Sequence, residues 1–70
     1  MDEDIIVVRG VEYSLPLRRM RLGDSFFLPC LKWTEVGIEV KRAARRYGYR
    51  IHARRAEYGS YLGVRCWRVA

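Results

Sequence analysis

Asparagine and glutamine are absent from this 70-residue chain, and lysine is scarce: of 14 basic residues 12 are Arg, with only Lys32 and Lys41 as Lys. Side-chain amides are the groups that read adenine bidentately in the major groove, so any reading of DNA sequence would rest on Arg to guanine or on shape. Histidine occurs once, at His52. Cysteine occurs twice, at Cys30 and Cys66, with no CxxC pair, which excludes the spacing of a structural zinc site. No apolar run approaches the roughly 20 residues of a membrane-spanning helix; Ile5 to Val8 is typical in length. A phosphate loop is missing too, because Gly59-x-x-x-Gly63 lacks the Gly-Lys-Ser/Thr ending. The expectation is a chain with no metal, no cofactor and no membrane contact.

Acidic residues are unevenly spread. Residues 1–40 carry five Lys/Arg and seven Asp/Glu, whereas residues 41–70 carry nine and one, giving net charges of −2 and +8. The second half is a concentrated cationic surface built from flat, forked guanidinium groups, which suit phosphate, carboxylate or aromatic partners. Net charge speaks to association and solubility and not to fold, and a solvated Arg-rich face is the plainer alternative.

Seventy residues make one domain, and a domain of this size buries only about 60% of its unfolded surface. Half the residues are apolar and 13% are aromatic, which argues for a folded chain against the composition of disorder. The two thiols could form one disulfide. Met1 is followed by Asp2, Glu3 and Asp4 where a signal peptide carries positive charge, so reduced, partly buried cysteines are the reading preferred here. Residues 1–4 read as a flexible acidic tail.

Ile5 to Val8 is a β-branched run ended by Arg9-Gly10, and Val11, Tyr13 and Leu15 alternate with Glu12 and Ser14 until Pro16, which predicts two strands joined by a tight turn. Residues 17–22 read as a loop. Gly23-Asp24 then leads into a third strand over Ser25 to Cys30. Thr34 is the candidate N-cap of a helix over 35–47, with Val36, Val40, Ala43, Ala44 and Tyr47 on one face and Gly48 just beyond the end. On that wheel Ile38 points away from the apolar face. Tyr49, Ile51 and Ala53 alternate with Arg50, His52 and Arg54, which predicts a strand that buries the first set and displays the second. Glu57 to Gly63 reads as a hairpin connection, and Val64 to Val69 as a last strand on which neither face is purely apolar. The fold class is α+β: a small antiparallel sheet of four to five strands with one helix on one face, in the order β-β-β-α-β-β.

Lys41, Arg42, Arg45 and Arg46 on the helix, Arg50, His52, Arg54 and Arg55 on the following strand, and Arg65, Trp67 and Arg68 near the C-terminus form the candidate binding cluster, with Tyr47, Tyr58 and Tyr61 interleaved. Arginine supplies counterion-releasing phosphate contacts and aromatic rings stack on unpaired bases, so the mixture suits nucleic acid or a nucleic-acid-handling complex. At least half of those aromatic residues are expected to serve packing. No helix-turn-helix, zinc-finger, KH or RRM signature is present. Gly23-Asp24-Ser25 superficially matches the nucleophile block of GDS-type esterases, but no Asp-x-x-His follows near the C-terminus, and Ser25 is read as the start of a strand. A thiol nucleophile with His52 as base lacks a local signature. The expectation is a non-enzymatic binding protein.

The blocks Met20-x-x-Gly23-Asp24-Ser25-Phe26-Phe27-Leu28-Pro29 and Gly63-Val64-Arg65-Cys66-Trp67-Arg68-Val69 resemble a group of small phage and prophage proteins, in which a GDSFF(V/L)P stretch is followed some thirty to forty residues on by a GVRxWR ending. The resemblance covers most of residues 20–69 and implies a mobile-element origin. Small phage proteins of this kind often act by binding a host component, and anti-CRISPR proteins inhibit CRISPR effectors in this way. The resemblance therefore implies a binding protein in the cytoplasm of a bacterial host cell, directed at nucleic acid or a nucleoprotein complex such as a CRISPR surveillance complex. The alternative is a sequence-tolerant regulator acting on duplex DNA. Monomer and homodimer are both open.

Overall fold

The computed structural model describes residues 4–70. Six regular elements follow one another: β1 (Asp4–Val8), β2 (Val11–Leu15), β3 (Ser25–Pro29), α1 (Trp33–Ala44), β4 (Ile51–Tyr58) and β5 (Tyr61–Arg68). Short 3-10 turns occupy Leu17–Arg19 and Arg45–Tyr47. The fold is α+β, with five strands and one α-helix.

The strands do not form one sheet. β1 and β2 make a two-stranded antiparallel sheet, and β3, β5 and β4 make a three-stranded antiparallel sheet in that order, with β5 in the centre. Pro16 has no N–H to continue the ladder, and the turn after it buries Leu17 and Met20. The chain therefore leaves the hairpin before β3 begins, and β3 pairs with the C-terminal strand. Both β3 and β4 run antiparallel to β5, so they are parallel to each other, and α1 is the crossover between them.

Turn chemistry sets the two hairpins. Arg9 and Gly10 both have positive φ, 51° and 79°, as a two-residue type I′ connection requires. Gly59 has φ 60° at the first central position of the β4–β5 turn, and Ser60 is not in the left-handed region, which is the type II′ pattern. The connection expected over 57–63 thus shrinks to Gly59-Ser60, and Glu57, Tyr61, Leu62 and Gly63 belong to strands.

The helix begins earlier than expected. Lys32 is the N-cap, without a side-chain cap, and Thr34 lies inside the first turn. Beyond Ala44 the chain tightens to a 3-10 turn that ends on Gly48 at φ 75°. That tightening rotates Tyr47 off the buried stripe. Its hydroxyl donates to Asp4 Oδ2 at 2.6 Å, and its ring stacks on Tyr49 at 5.3 Å. Asp4, expected in the acidic tail, is instead paired with Leu15 in β1; the rest of that segment lies outside the described residues.

Val36, Gly37, Val40, Ala43 and Ala44 cover one arc of the helix and pack against β4, β5 and β1. The core adds Ile6, Val8, Leu15, Leu17, Met20, Leu28, Ile51, Val64 and Cys66. Each fully buried aliphatic side chain among these contributes about 1.5–3 kcal/mol. Gly37 allows the close approach of helix to sheet, since a Cβ there would sit 3.3 Å from the Ala53 Cβ. Ile38 lies on the outer crest, half exposed.

Candidate nucleic-acid interface

Register assigns every residue of the three-stranded sheet to a face. On β5, Val64 and Cys66 are buried under α1, so Tyr61, Gly63, Arg65 and Trp67 look the other way. The partners of those four complete the outer face: Ser25, Phe27 and Pro29 on β3, and His52, Arg54, Ala56 and Tyr58 on β4. α1 packs on the opposite side of this sheet, over Val64 and Cys66. Among the described residues the outer face holds two arginines, one histidine and four aromatic rings, and no carboxylate.

Arg54 and Arg65 stand directly opposite each other on neighbouring strands. Like charges in that position repel, and no acid among the described residues of the face offsets them. Arg65 leans toward β3, where its guanidinium lies 5.8 Å from the centre of the Phe27 ring and Nη1 donates to Ser25 Oγ at 3.2 Å. Arg54 has no ion-pair partner among the described residues. One row away His52 packs against Trp67, with ring centroids 5.9 Å apart. In the other direction Gly63 lies between Pro29 and Ala56, and over this bare strip the rings of Phe27 and Tyr58 meet at 5.8 Å. A Cβ on Gly63 would collide with the Leu28 carbonyl oxygen, so the strip is fixed by the backbone as well.

The sequence cluster is therefore divided. Arg50, His52 and Arg54 are exposed in one row, as the alternation of β4 predicts, and Arg65 and Trp67 join them. Arg55 is exposed at the sheet edge with the opposite parity. Arg42 and Arg46 are exposed on α1 and its extension, away from the open sheet face, whereas Lys41 and Arg45 line one pocket with Tyr49, Arg50 and Ile51 at the start of β4. Acids accompany the helix surface: Arg42 pairs with Glu39 at 3.1 Å, and Arg9 holds Glu35 at 3.0 Å. Arg68 faces inward and is engaged by the fold, with its guanidinium 3.7 Å from the Tyr49 ring centre.

Phe27 and Ser25 are members of the face that the sequence reading missed. The signal was the strict period of two along β5, which only the pairing with β3 converts into neighbours. Of the four aromatic residues expected to serve packing in part, none is fully buried; Tyr47, Tyr58 and Tyr61 are exposed and Trp67 is half-buried.

Ser25 and His52 share one row, but the Trp67 strand lies between them and the Ser25 hydroxyl accepts from Arg65. Neither cysteine is disulfide-bonded. Burial pushes the Cys66 thiol up to about 12, with Cys30 adding to the shift, and burial raises Cys30 as well. Thiols held protonated in this way are poor nucleophiles. Among the described residues no three His, Cys, Asp or Glu side chains gather where they could hold a metal ion, and no helix is long and apolar enough to cross a membrane.

No family model matches this chain, and neither a curated protein nor a solved structure is similar to it.

Proposed function

We propose that this is a non-enzymatic nucleic-acid-binding protein whose contact surface is the open face of the β3-β5-β4 sheet. The observation that carries the reading is the cross-strand pair Arg54 and Arg65 on a face whose described residues include no carboxylate. Arg65 reaches Ser25 and Phe27, but neither guanidinium is met by a carboxylate of the described residues, whereas a phosphate between them relieves the repulsion and accepts forked hydrogen bonds. The aromatic rings around the pair suit nucleic acid better than an acidic protein surface. Lys41, Arg45 and Arg46, outside the Arg54–Arg65 pair, raise the local concentration of any polyanion without touching it at the primary contact.

The resemblance to small phage proteins supports a second part of the reading. The nucleic acid is met inside a host nucleoprotein assembly, such as a CRISPR surveillance complex, in the cytoplasm of a bacterial cell.

The test is fluorescence anisotropy of labelled DNA and RNA, single- and double-stranded, over a salt series. Affinity falls with salt according to the number of phosphates neutralised, and each arginine removed from the contact lowers the slope by about 1. Arg54→Ala and Arg65→Ala together are expected to reduce the slope by about 2. Arg45→Ala with Arg46→Ala is expected to leave it within about half a unit of the wild-type value. The reverse pattern would move the contact to the helix and favour a duplex-binding regulator. No binding of any nucleic acid at low salt would overturn the reading and point to an acidic protein partner.

A further inference from the structure

We infer that the open sheet face takes single-stranded nucleic acid, with unpaired bases stacked on Tyr58 and Tyr61 and phosphates held by Arg54 and Arg65. This rests on the nucleic-acid reading above and names the substrate class of the same site.

Tyr58 and Tyr61 face each other at the hairpin end of β4 and β5 and are 64% and 65% exposed. Two tyrosines left that open contribute little to a core. The Tyr58 ring leans on Phe27 over the Gly63 strip and leaves its outer surface exposed. Gly63 makes this possible, because a side chain there would stand between the two rings. Phe27 in turn is clamped from its other end by Arg65, whose guanidinium is anchored to Ser25. Tyr58, Phe27 and Arg65 are in contact in series, with Tyr61 opposite Tyr58 in the register, and Arg54 and Trp67 on the same face. From Tyr61 to Trp67 the row along β5 is about 20 Å long, at the usual rise of a strand.

A duplex cannot use this arrangement. Its bases are stacked on one another and show only their edges, in grooves that a flat sheet does not enter, so such a face would meet phosphate and sugar alone. An unpaired strand exposes base faces, and rings on a sheet are the natural platform for them. The face carries no Asn, Gln, Asp or Glu to read base edges, so stacking is expected to be tolerant of sequence.

The experiment compares three ligands of equal charge against the wild-type protein: an oligothymidine of about 15 nucleotides, an abasic strand of the same number of phosphates, and a duplex. Affinity for the oligothymidine is expected to exceed that for either of the others by at least about tenfold. Tyr61→Ala is expected to weaken the oligothymidine by roughly 5- to 150-fold while leaving the abasic strand unchanged, and Tyr61→Phe to keep the wild-type affinity. Tyr61 sits exposed beside the turn, and a melting curve for each variant confirms the folded state. Equal binding of oligothymidine and abasic strand would overturn the stacking inference and leave the phosphate-binding reading in place, as would preference for the duplex. Binding of none of the three would overturn both. The ligand comparison needs no variant and stands even where a substitution perturbs folding.

Discussion

The guanidinium of Arg68 stacks on the ring of Tyr49, its central carbon 3.7 Å from the ring centre, while Nη1 donates to the Met20 carbonyl at 3.0 Å and Nε to the Ala70 carbonyl at 3.2 Å. Three segments meet in this one side chain: the turn before β3, the loop after α1 and the end of β5. The backbone reinforces the junction, since Gly23 N–H donates to the Arg68 carbonyl and Arg68 N–H to the Asp24 carbonyl. Arg68 therefore belongs to the fold, although its charge alone enrols it with the other arginines.

Replacing Arg68 separates those two roles. A partly desolvated cation–π contact is worth about 1–2 kcal/mol and a hydrogen bond from a charged donor about 1.5–3, with the two not additive. Arg68→Ala is expected to destabilise the protein by about 2–3 kcal/mol, lowering Tm by roughly 10–20 °C in a domain of this size. Arg68→Lys is expected to recover less than half of that, because an ammonium has no plane to lay on the ring. Oligonucleotide affinity measured well below both melting points should stay within about twofold of wild type, since Arg68 is absent from the open face. A loss as large as that of Arg54→Ala would return Arg68 to the contact surface.

Two glycines offer a second test of the architecture. At Gly63 a Cβ would collide with the Leu28 carbonyl and lie 2.8 Å from Pro29 Cα, both backbone atoms of a paired strand. At Gly37 the nearest atom is the Ala53 Cβ at 3.3 Å, on the edge strand β4, which is free to shift by a few tenths of an ångström. Overpacking against fixed backbone costs about 1–3 kcal/mol, whereas Ala in a helix gains up to about 1 over Gly. Gly63→Ala is expected to lower Tm by at least about 5 °C, and Gly37→Ala to leave it within a few degrees. Calorimetry of the two variants decides it. A tolerated Gly63→Ala would mean that β3 and β5 do not approach as closely as the register requires.

Local rules carried the sequence reading well where structure is local. The Arg9-Gly10 turn, the β-branched run before it, the apolar stripe Val36, Val40, Ala43 and Ala44, and the alternation from Arg50 to Arg54 depend on neighbours in the chain, and each is found where the residues imply. The division into two sheets depends on which strand β3 chooses as partner, sixty-odd positions of chain being available. Nothing in Ser25-Phe26-Phe27-Leu28 specifies β5 over β2. The placement of the candidate site residues depends on the same non-local choice. Arg42, Arg45, Arg54 and Arg65 look alike as charges, and only the helix crossover separates the first two from the others. Phe27 escaped notice because an apolar residue in an apolar run reads as core until its parity against Arg65 is known.

Cys66 should respond to pH. Its thiol is buried and pushed up to about 12, so the folded state holds a proton that the unfolded chain releases near pH 9. Above that pH the unfolded state binds fewer protons than the folded one, so stability falls as pH rises from about 9 toward 12. Between pH 7 and 8 this thiol contributes no pH dependence. Cys66→Ala or Cys66→Val is expected to flatten the alkaline loss relative to wild type in urea titrations at pH 7, 9 and 10.5. In the native protein Cys66 should react with an aromatic disulfide reagent at least about a hundredfold more slowly than an unfolded thiol, with Cys30, half-buried, reacting first. Equal rates for the two would contradict the burial of Cys66.

The two tryptophans report on opposite sides of the molecule. Trp33 begins α1 at the helix side, and Trp67 lies on the open face against His52. With Trp33→Phe, Trp67 becomes the only tryptophan, and its emission is expected to be quenched as oligothymidine saturates the protein, because a strand held by Arg65 and Tyr61 runs along the same row. With Trp67→Phe, the remaining Trp33 emission is expected to change by less than about a tenth of that amount, the sheet and helix separating it from the bound strand. Quenching of Trp33 with a silent Trp67 would put the ligand on the helix crest beside Lys41 and Arg45. The same titration in wild-type protein reads both signals together, so agreement between its midpoint and that of the Trp33→Phe variant also checks that removing Trp33 leaves the binding surface intact.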